Sequence, residues 1–436
     1  MNTSLNYLRH KNFAIYGLGV TGRSVIRYFD KNGMKNYVLW DDNKKVFKRF
    51  LGSKYRRMKS DFLESINFVD YIIVSPGINI NKTKLKKVLF KNKHKIITDL
   101  DLFYLLKPYL KSIVVTGTNG KSTTCKIIEH VLKKNHFKVN LGGNIGSPIL
   151  NLNSKKNSLI VIEASSFQLA YSKFVKPDYG LILNITKDHQ DWHGSMNKYI
   201  ESKFKIFSLQ KKNNFAFINS KKLLKRFRKN KYASKLTFVA GEDYKKIKNK
   251  IKNNYLNSES NQENMNFVYA LSKILKIKEK PFIKSLKSFK GLKHRHEIFY
   301  KKNNKIFVND SKATSFEASK FALKNNKNIL WIVGGLPKVG DRFALEKVKK
   351  NIIKAYIIGK YTKHFKRILR GKVNFQSCGT LKNASISIFK DIKNSKDKKN
   401  TILFSPASAS YDQFKNFEER GNEFKKLISN YARKYF

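Results

Sequence analysis

Lys121 and Ser122 close the run Gly117-Thr118-Asn119-Gly120-Lys121-Ser122, which continues into Thr123. Glycines, an ammonium and hydroxyls at this spacing suit a polyphosphate. Backbone N–H groups can turn onto one anion, the lysine can reach terminal phosphates, and the serine can reach Mg²⁺. The run is shorter than G-x-x-x-x-G-K-[ST], because Val115 stands where the first glycine would be, and a ligand-free turn before a helix is the alternative. Glu163 ends the apolar run L-I-V-I, the usual place for a Mg²⁺ partner beside a phosphate loop, or for a cap on the next helix. His189 lies in T-K-D-H-Q-D-W-H after Y-G-L-I-L-N-I, as an ordinary loop residue or as part of the same site. Further upstream, Gly17-Leu18-Gly19-Val20-Thr21-Gly22 is G-x-G-x-x-G, with Asp41 and Asp42 about 20 residues beyond it. That layout predicts a nucleotide-like ligand, with a tight empty turn as the alternative.

These residues need elements to hold them. Before Gly17, N-F-A-I-Y reads as a strand, and S-V-I-R-Y-F after it as a helix. Y-V-L-W ends at Asp41, and V-D-Y-I-I-V runs into Ser75-Pro76-Gly77-Ile78. I-V-V-T precedes the phosphate-type loop, and C-K-I-I-E-H-V-L-K-K behind it is helical. Gly142-Gly143-Asn144-Ile145-Gly146 reads as a polar glycine loop, and Y-I-E-S-K-F-K-I-F as an amphipathic helix. On pattern alone Lys203, beside Phe204 in that helix, is a solvated lysine. From Phe215 to Ile277 the signal is weaker: strands F-A-F-I-N and K-L-T-F-V, then the helix N-M-N-F-V-Y-A-L-S-K-I-L. Later strands K-I-F-V-N, N-I-L-W-I-V, A-Y-I-I-G and T-I-L-F end at Asp310-Ser311-Lys312, Gly334-Gly335, Gly359 and Ser405-Pro406. Strand–glycine–helix alternation predicts an α/β protein of parallel sheets with helices on both faces. A chain of 436 residues exceeds one ordinary core. Three domains are expected, at 1–97, 98–291 and 292–436.

Two cysteines, Cys125 and Cys378, exclude a disulfide framework and point to a reducing cytoplasm. No signal peptide and no membrane span are expected. The formal charge of +61 is spread along the whole chain, without a basic tail or aromatic-interleaved RNA motif. It reads as a lysine-rich surface, with no specific nucleic-acid partner expected, although such a surface attracts anions.

Taken together, G-T-N-G-K-S-T, E-A-S-S-F-Q-L, N-I-T-K-D-H, H-R-H-E, N-D-S-K-A-T and S-P-A-S-A-S-Y-D-Q-F-K-N-F-E-E-R-G-N-E-F resemble the Mur ligase family, over essentially the whole chain. G-L-G-V-T-G-R-S and S-P-G-I resemble its D-glutamate-adding members. The resemblance implies a Rossmann-like N-terminal domain for a UDP substrate, a central P-loop-type ATPase domain, and a Rossmann-like C-terminal domain that binds the amino acid and closes on ATP. It implies a monomer that joins D-glutamate to UDP-N-acetylmuramoyl-L-alanine through an acyl phosphate, with ATP and two Mg²⁺ ions.

By the same resemblance, Lys121 serves the ATP phosphates, with Gly117, Thr118, Asn119, Gly120, Ser122 and Thr123 around them. Ser122 and Glu163 hold one Mg²⁺. His189 and a carbamylated Lys203 hold the second. Asn144 lies near the reacting carboxylate. Asn264, Arg295 and Asp310 contact ATP. Val20, Thr21, Asp41 and Ser75 contact UDP. Lys312, Thr314 and Lys338 belong to the amino-acid site, with Ser410 and Phe417 at its side-chain carboxylate end. The sequence departs from the family pattern at Glu263, where a histidine is common, at Phe267, where a second asparagine is common, and in a longer interval between Lys338 and Phe343. Three other readings use fewer of the motifs: a folylpolyglutamate-type ligase, a nucleic-acid-dependent P-loop ATPase, and an NAD-dependent dehydrogenase resting on residues 17 to 22 alone.

Overall fold

The computed structural model describes residues 3–50, 62–253, 255–257, 259–338, 340–393 and 399–435. Three sheets organise them. In the first, β1 (Phe13–Tyr16), β2 (Tyr37–Trp40), β3 (Tyr71–Val74) and β4 (Ile96–Ile97) run parallel in the order β2-β1-β3-β4. In the second, β5 (Ser112–Thr116), β6 (Val139–Gly143), β7 (Leu159–Glu163), β8 (Tyr179–Ile182), β9 (Phe215–Ile218) and β10 (Lys235–Phe238) run parallel in the order β10-β9-β8-β5-β7-β6. The order decides where chemistry can gather. The loops after β8, β5, β7 and β6 leave the same sheet edge side by side, and these carry His189, Lys121, Glu163 and Asn144.

Residues Met1–Phe289 form one compact unit. Its first two sheets share an apolar cluster: Phe13, Ile15 and Val25 join Val114, Ile160 and Ile162 through Leu102, Phe103 and Leu106. The last three lie on the helix Asp99–Leu106. Its capping box pairs Thr98 with Asp101, which satisfies the first free N–H groups of a helix whose surroundings are dry. Nearly every residue of this helix is buried, so it has no polar stripe, and the sequence reading passed over it.

Residues Lys290–Phe436 form the second unit. Here β11 (Glu297–Lys302), β12 (Lys305–Asn309), β13 (Ile329–Gly334), β14 (Ile352–Ile358), β15 (Phe375–Gly379) and β16 (Asn400–Phe404) take the order β11-β12-β16-β13-β14-β15. Alternate residues of β13 feed opposite cores, Trp331 and Val333 on one face, Leu330 and Ile332 on the other. The sheet is parallel except at one edge, where β11 pairs antiparallel with β12. Asn303 and Asn304 make the hairpin turn with φ of +44° and +58°, a conformation asparagine tolerates better than most residues. In the interval from Lys338 to Phe343, Val339 lies outside the described residues.

Candidate active site

The phosphate-type loop leaves β5 and enters the helix Lys121–Lys134 through Gly120, at φ +81°. A side chain at Gly120 would bring its Cβ within 2.1 Å of Asn264 Oδ1, so glycine is required on both counts. Asn264 is buried beneath the loop. It accepts from Thr124 Oγ1 at 3.2 Å and donates to Asn261 Oδ1 at 3.1 Å. The acceptor end of its amide therefore braces the helix that leaves the loop, while the donor end is held within its own helix. Asn184, just beyond β8, fixes the other side: its backbone oxygen accepts from Thr118 N and its Oδ1 from Asn119 N. Glu263 in turn holds Asn184 Nδ2 and Asn219 Nδ2, each at 2.6 Å. The carboxylate at the unusual position 263 thus ties the ends of β8 and β9 to the loop. Sequence reasoning found the departure but not this use of it.

Lys203 corrects its pattern-based reading as a solvated lysine. It is 1% exposed, and its Nζ donates to Gly117 O at 2.8 Å. Lys121 Nζ donates to the same carbonyl at 2.9 Å and to Thr118 O at 2.8 Å. Burial holds the Lys203 amine well below its ordinary range, the Lys121 charge adds to that, and Asp188 opposes it. Its Nζ also lies over the ring of Tyr199, 4.5 Å from the centroid. Tyr199 Oη shares a 2.9 Å hydrogen bond with Thr118 Oγ1.

Glu163, at the end of β7, is 2% exposed. Its Oε1 accepts from Asn144 Nδ2 at 2.8 Å. Its Oε2 is buried and has no hydrogen-bond partner among the described residues. The helix-cap alternative fails, since Ser165 and Gln168 cap the helix Ser166–Tyr171 by themselves. A buried carboxylate oxygen without a donor is costly unless something else uses it. A hard cation beside the hydroxyl of Ser122, also buried, is such a user. His189 caps the short helix Gln190–His193 at φ +49°, with Nε2 3.4 Å from Asp188 Oδ2 and its side chain 41% exposed. No three His, Cys, Asp or Glu side chains converge among the described residues.

On the N-terminal sheet, Gly17 turns at φ +94°, and a Cβ on Gly22 would lie 2.0 Å from Gly17 O. Ser75 Oγ donates to Gly17 O at 2.8 Å. Asp41 accepts from Leu18 N at 2.7 Å and Asn43 N at 2.8 Å. Two of the four expected UDP contacts, Ser75 and Asp41, therefore also shape the turn. A cavity of about 380 Å³ opens beside it, lined among others by Val20, Thr21, Asp41, Ser75 and Asn144. Asn144 belongs to the central sheet's edge, so one amide lines the nucleotide-type cavity and holds Glu163.

In the second unit, three adjacent strand ends bring the remaining residues to one edge. Asp310 follows β12, accepting from Ser405 Oγ at 2.6 Å and His296 N at 3.0 Å. Burial pushes its carboxyl up to about 7, against the pull of Arg295. Arg295 sits between His294 and His296, both at positive φ, in a turn pinned by Asn309 to His294 Nδ1. Lys312 Nζ lies 3.7 Å from the ring centroid of Phe417. Ser410 is buried, whereas Thr314 and Lys338 are exposed. Arg420, missed by the sequence reading, is 1% exposed and clamps Ser311 O at 2.8 Å and Ser408 O at 3.0 Å, joining the loops that carry Lys312 and Ser410.

Comparison with known proteins matches these regions to two family models. Residues 115–281 match the Mur ligase middle domain, and residues 11–97 match the Mur ligase MurD-like N-terminal domain. A UDP-N-acetylmuramoylalanine–D-glutamate ligase of Wolbachia sp. subsp. Brugia malayi is 36% identical, over 97% of each chain. That of Rickettsia prowazekii is 34% identical, over 97% of this chain and 99% of its own. Among solved structures, MurC of Thermotoga maritima superposes with a TM-score of 0.56 at 18% identity, over 97% of this chain and all of that one. MurF of Thermotoga maritima, solved with ADP, also gives 0.56, at 16% identity, over 99% of this chain and all of that one. These two share the three-domain fold. No helix among the described residues is long and apolar enough to cross a membrane.

Proposed function

The chain belongs to the Mur ligase family, and we propose that it joins D-glutamate to UDP-N-acetylmuramoyl-L-alanine, with ATP converted to ADP and phosphate. The observation that carries this reading is Asn144. It lines the cavity beside the Gly17 turn and bonds Glu163 at the edge that holds the phosphate loop. A nucleotide-sugar seated at Gly17–Thr21 has its far end directed to the place where a phosphoryl group would be transferred. The full-length relatives named for this ligation support the same choice. We also propose domains at 1–97, 98–291 and 292–436, with a cytoplasmic monomer as the working form.

The chemistry follows from the poor electrophilicity of a carboxylate. Its oxygen attacks the γ-phosphorus of ATP and ADP leaves. The glutamate amine then attacks the acyl carbon, phosphate leaves, and the nitrogen loses a proton. Lys121 and the loop N–H groups stabilise the transferring charge. Lys121 now donates to loop carbonyls, so ATP takes over an ammonium already held close by. Asn144 orients the attacking carboxylate. Ser122 and Glu163 would hold one Mg²⁺, and His189 with Lys203 the other. Two such ions neutralise the phosphoryl oxygens and the incoming carboxylate. A hard cation prefers an oxygen anion to an amine, so Lys203 would serve as its carbamate. Its depressed basicity supplies the neutral amine that adds to CO₂, giving a carbamate and a proton. Arg295 and Asp310 serve ATP, and Lys312, Thr314, Lys338, Ser410 and Phe417 serve D-glutamate.

The direct test is phosphate release with each substrate omitted in turn. Turnover is expected only with Mg-ATP, UDP-N-acetylmuramoyl-L-alanine and D-glutamate together, and L-glutamate should not replace the D-isomer. Release that needs DNA or RNA and ignores both substrates would sink the reading. A second expectation concerns pH. If Asp310 accepts the ribose hydroxyls as a carboxylate, its raised value of about 7 makes it mostly protonated at pH 6 and mostly ionised at pH 8. KM for ATP should fall about tenfold across that range, the change in the ionised fraction. In Asp310→Asn the slope should vanish, and an unchanged slope in that variant removes Asp310 from the ATP site.

A further inference from the structure

The turn from Ser75 to Ile80 lines the N-terminal cavity with Ser75, Pro76, Gly77 and Ile78. Its other side is held by the central sheet's elements. Tyr171 is the last residue of the helix Ser166–Tyr171, which starts just after Glu163. Its hydroxyl donates to Ile78 O at 3.1 Å and accepts from Ile80 N at 3.0 Å. One phenol thus satisfies two backbone groups of a turn that has no ladder of its own. Asn79 Nδ2 adds a bond to Trp192 O at 3.0 Å, in the short helix that follows His189. The rings continue the connection: Tyr171 packs on Trp192 at 5.4 Å, Trp192 on Phe167 at 4.8 Å, and Phe167 on His189 at 4.7 Å. The turn is therefore bolted to two of the segments that present candidate metal donors, those of Glu163 and His189.

We propose that Tyr171, assisted by Asn79, is a positioning residue for the UDP substrate, fixing the Ser75–Ile80 turn to the segments that carry Glu163 and His189. The proposal rests on the ligase reading above. A turn tied only to its own sheet, through Ser75 and Gly17, would bind a nucleotide but leave its distance to the phosphate loop loosely set. Two hydrogen bonds from the neighbouring sheet remove that freedom before substrate arrives, which is what preorganisation requires.

Tyr171→Phe keeps the ring and removes both bonds. KM for UDP-N-acetylmuramoyl-L-alanine should rise about five- to tenfold, the scale of two modest hydrogen bonds partly backed by other tethers. KM for ATP and for D-glutamate should stay within about twofold. Asn79→Ala, which removes the bond to Trp192 O together with the local bonds from Asn81 N and Asn81 Nδ2 to Asn79 Oδ1, should shift the same constant about threefold. Equal rises in all three constants would mean general loosening and overturn the proposal, as would an unchanged KM for the UDP substrate. Calorimetric binding of UDP-N-acetylmuramoyl-L-alanine without ATP separates this proposal from the ligase reading. If the wild-type protein binds it yet adds no D-glutamate, the ligase reading fails. The binding comparison still decides Tyr171, for which weaker binding by Tyr171→Phe is expected and equal binding is fatal.

Discussion

Lys203→Ala is expected to lose roughly 10²–10³-fold in kcat, the scale for removing a preorganised group that meets developing charge. The loss should come with little change in thermal stability. Burial holds the Lys203 amine well below its unfolded range. Between the folded and unfolded values the unfolded chain binds the extra proton, so the native lysine lowers stability at pH 7 and regains it only as pH rises. Alanine removes that penalty and leaves a cavity, two changes of opposite sign. If the working group is the carbamate, short carboxylates in the buffer should restore part of the activity, and depleting CO₂ should lower the wild-type rate. Lys203→Arg should be as inactive as alanine, because a permanent guanidinium cannot become an oxygen anion. Full activity of Lys203→Ala would exclude the carbamate role, and a loss that carboxylates leave untouched would reduce Lys203 to its bond with Gly117 O.

The contrast between Lys121 and Lys203 shows what the chain discloses before it folds. Lys121 announces itself through neighbours in sequence: apolar strand, two glycines, hydroxyls, helix. Gly120 must be glycine in part for a local reason, its positive φ, and such a reason leaves a local mark. Lys203 has no such mark, because its partner Gly117 O lies 86 residues away and its burial depends on how the helix Met196–Ser208 packs on the helix Ser166–Tyr171 and on β8. Helical periodicity placed it at the edge of the apolar stripe, which is correct for the helix and insufficient for the side chain. Only the family resemblance links it to the proposed metal site. The same division runs through the fold. Strands flanked by glycine turns were legible. The all-round buried helix Asp99–Leu106 and the edge strand β11, with its E-I-F-Y-K-K sequence, were not, since neither has a clean period. Tyr171 and Glu263 were opaque for another reason. Glu263 bridges the ends of β8 and β9, and Tyr171 joins a helix of the central domain to a turn of the N-terminal sheet, contacts that exist only once the sheets are assembled.

Glu163→Gln is the variant for the first step. The substitution keeps the shape and leaves an oxygen that can still accept from Asn144 Nδ2, so the loop after β6 should hold its place. It removes the charge that makes the orphaned Oε2 useful. Binding of UDP-N-acetylmuramoyl-L-alanine, measured by calorimetry, should stay within about threefold, because the cavity at Gly17–Thr21 is intact and the change is neutral to its hydrogen bonds. Acyl-phosphate formation, trapped as the hydroxamate in a single turnover, should fall roughly 10²-fold or more. Glu163→Ala should lose the same step and also weaken substrate binding, since Asn144 then has no acceptor to orient it. The two variants together separate the carboxylate's charge from its role as a prop. Equal loss of phosphoryl transfer with unequal substrate binding is the expected pattern. Normal transfer in Glu163→Gln would move the first cation elsewhere and leave the buried oxygen of Glu163 as an uncompensated cost of the fold.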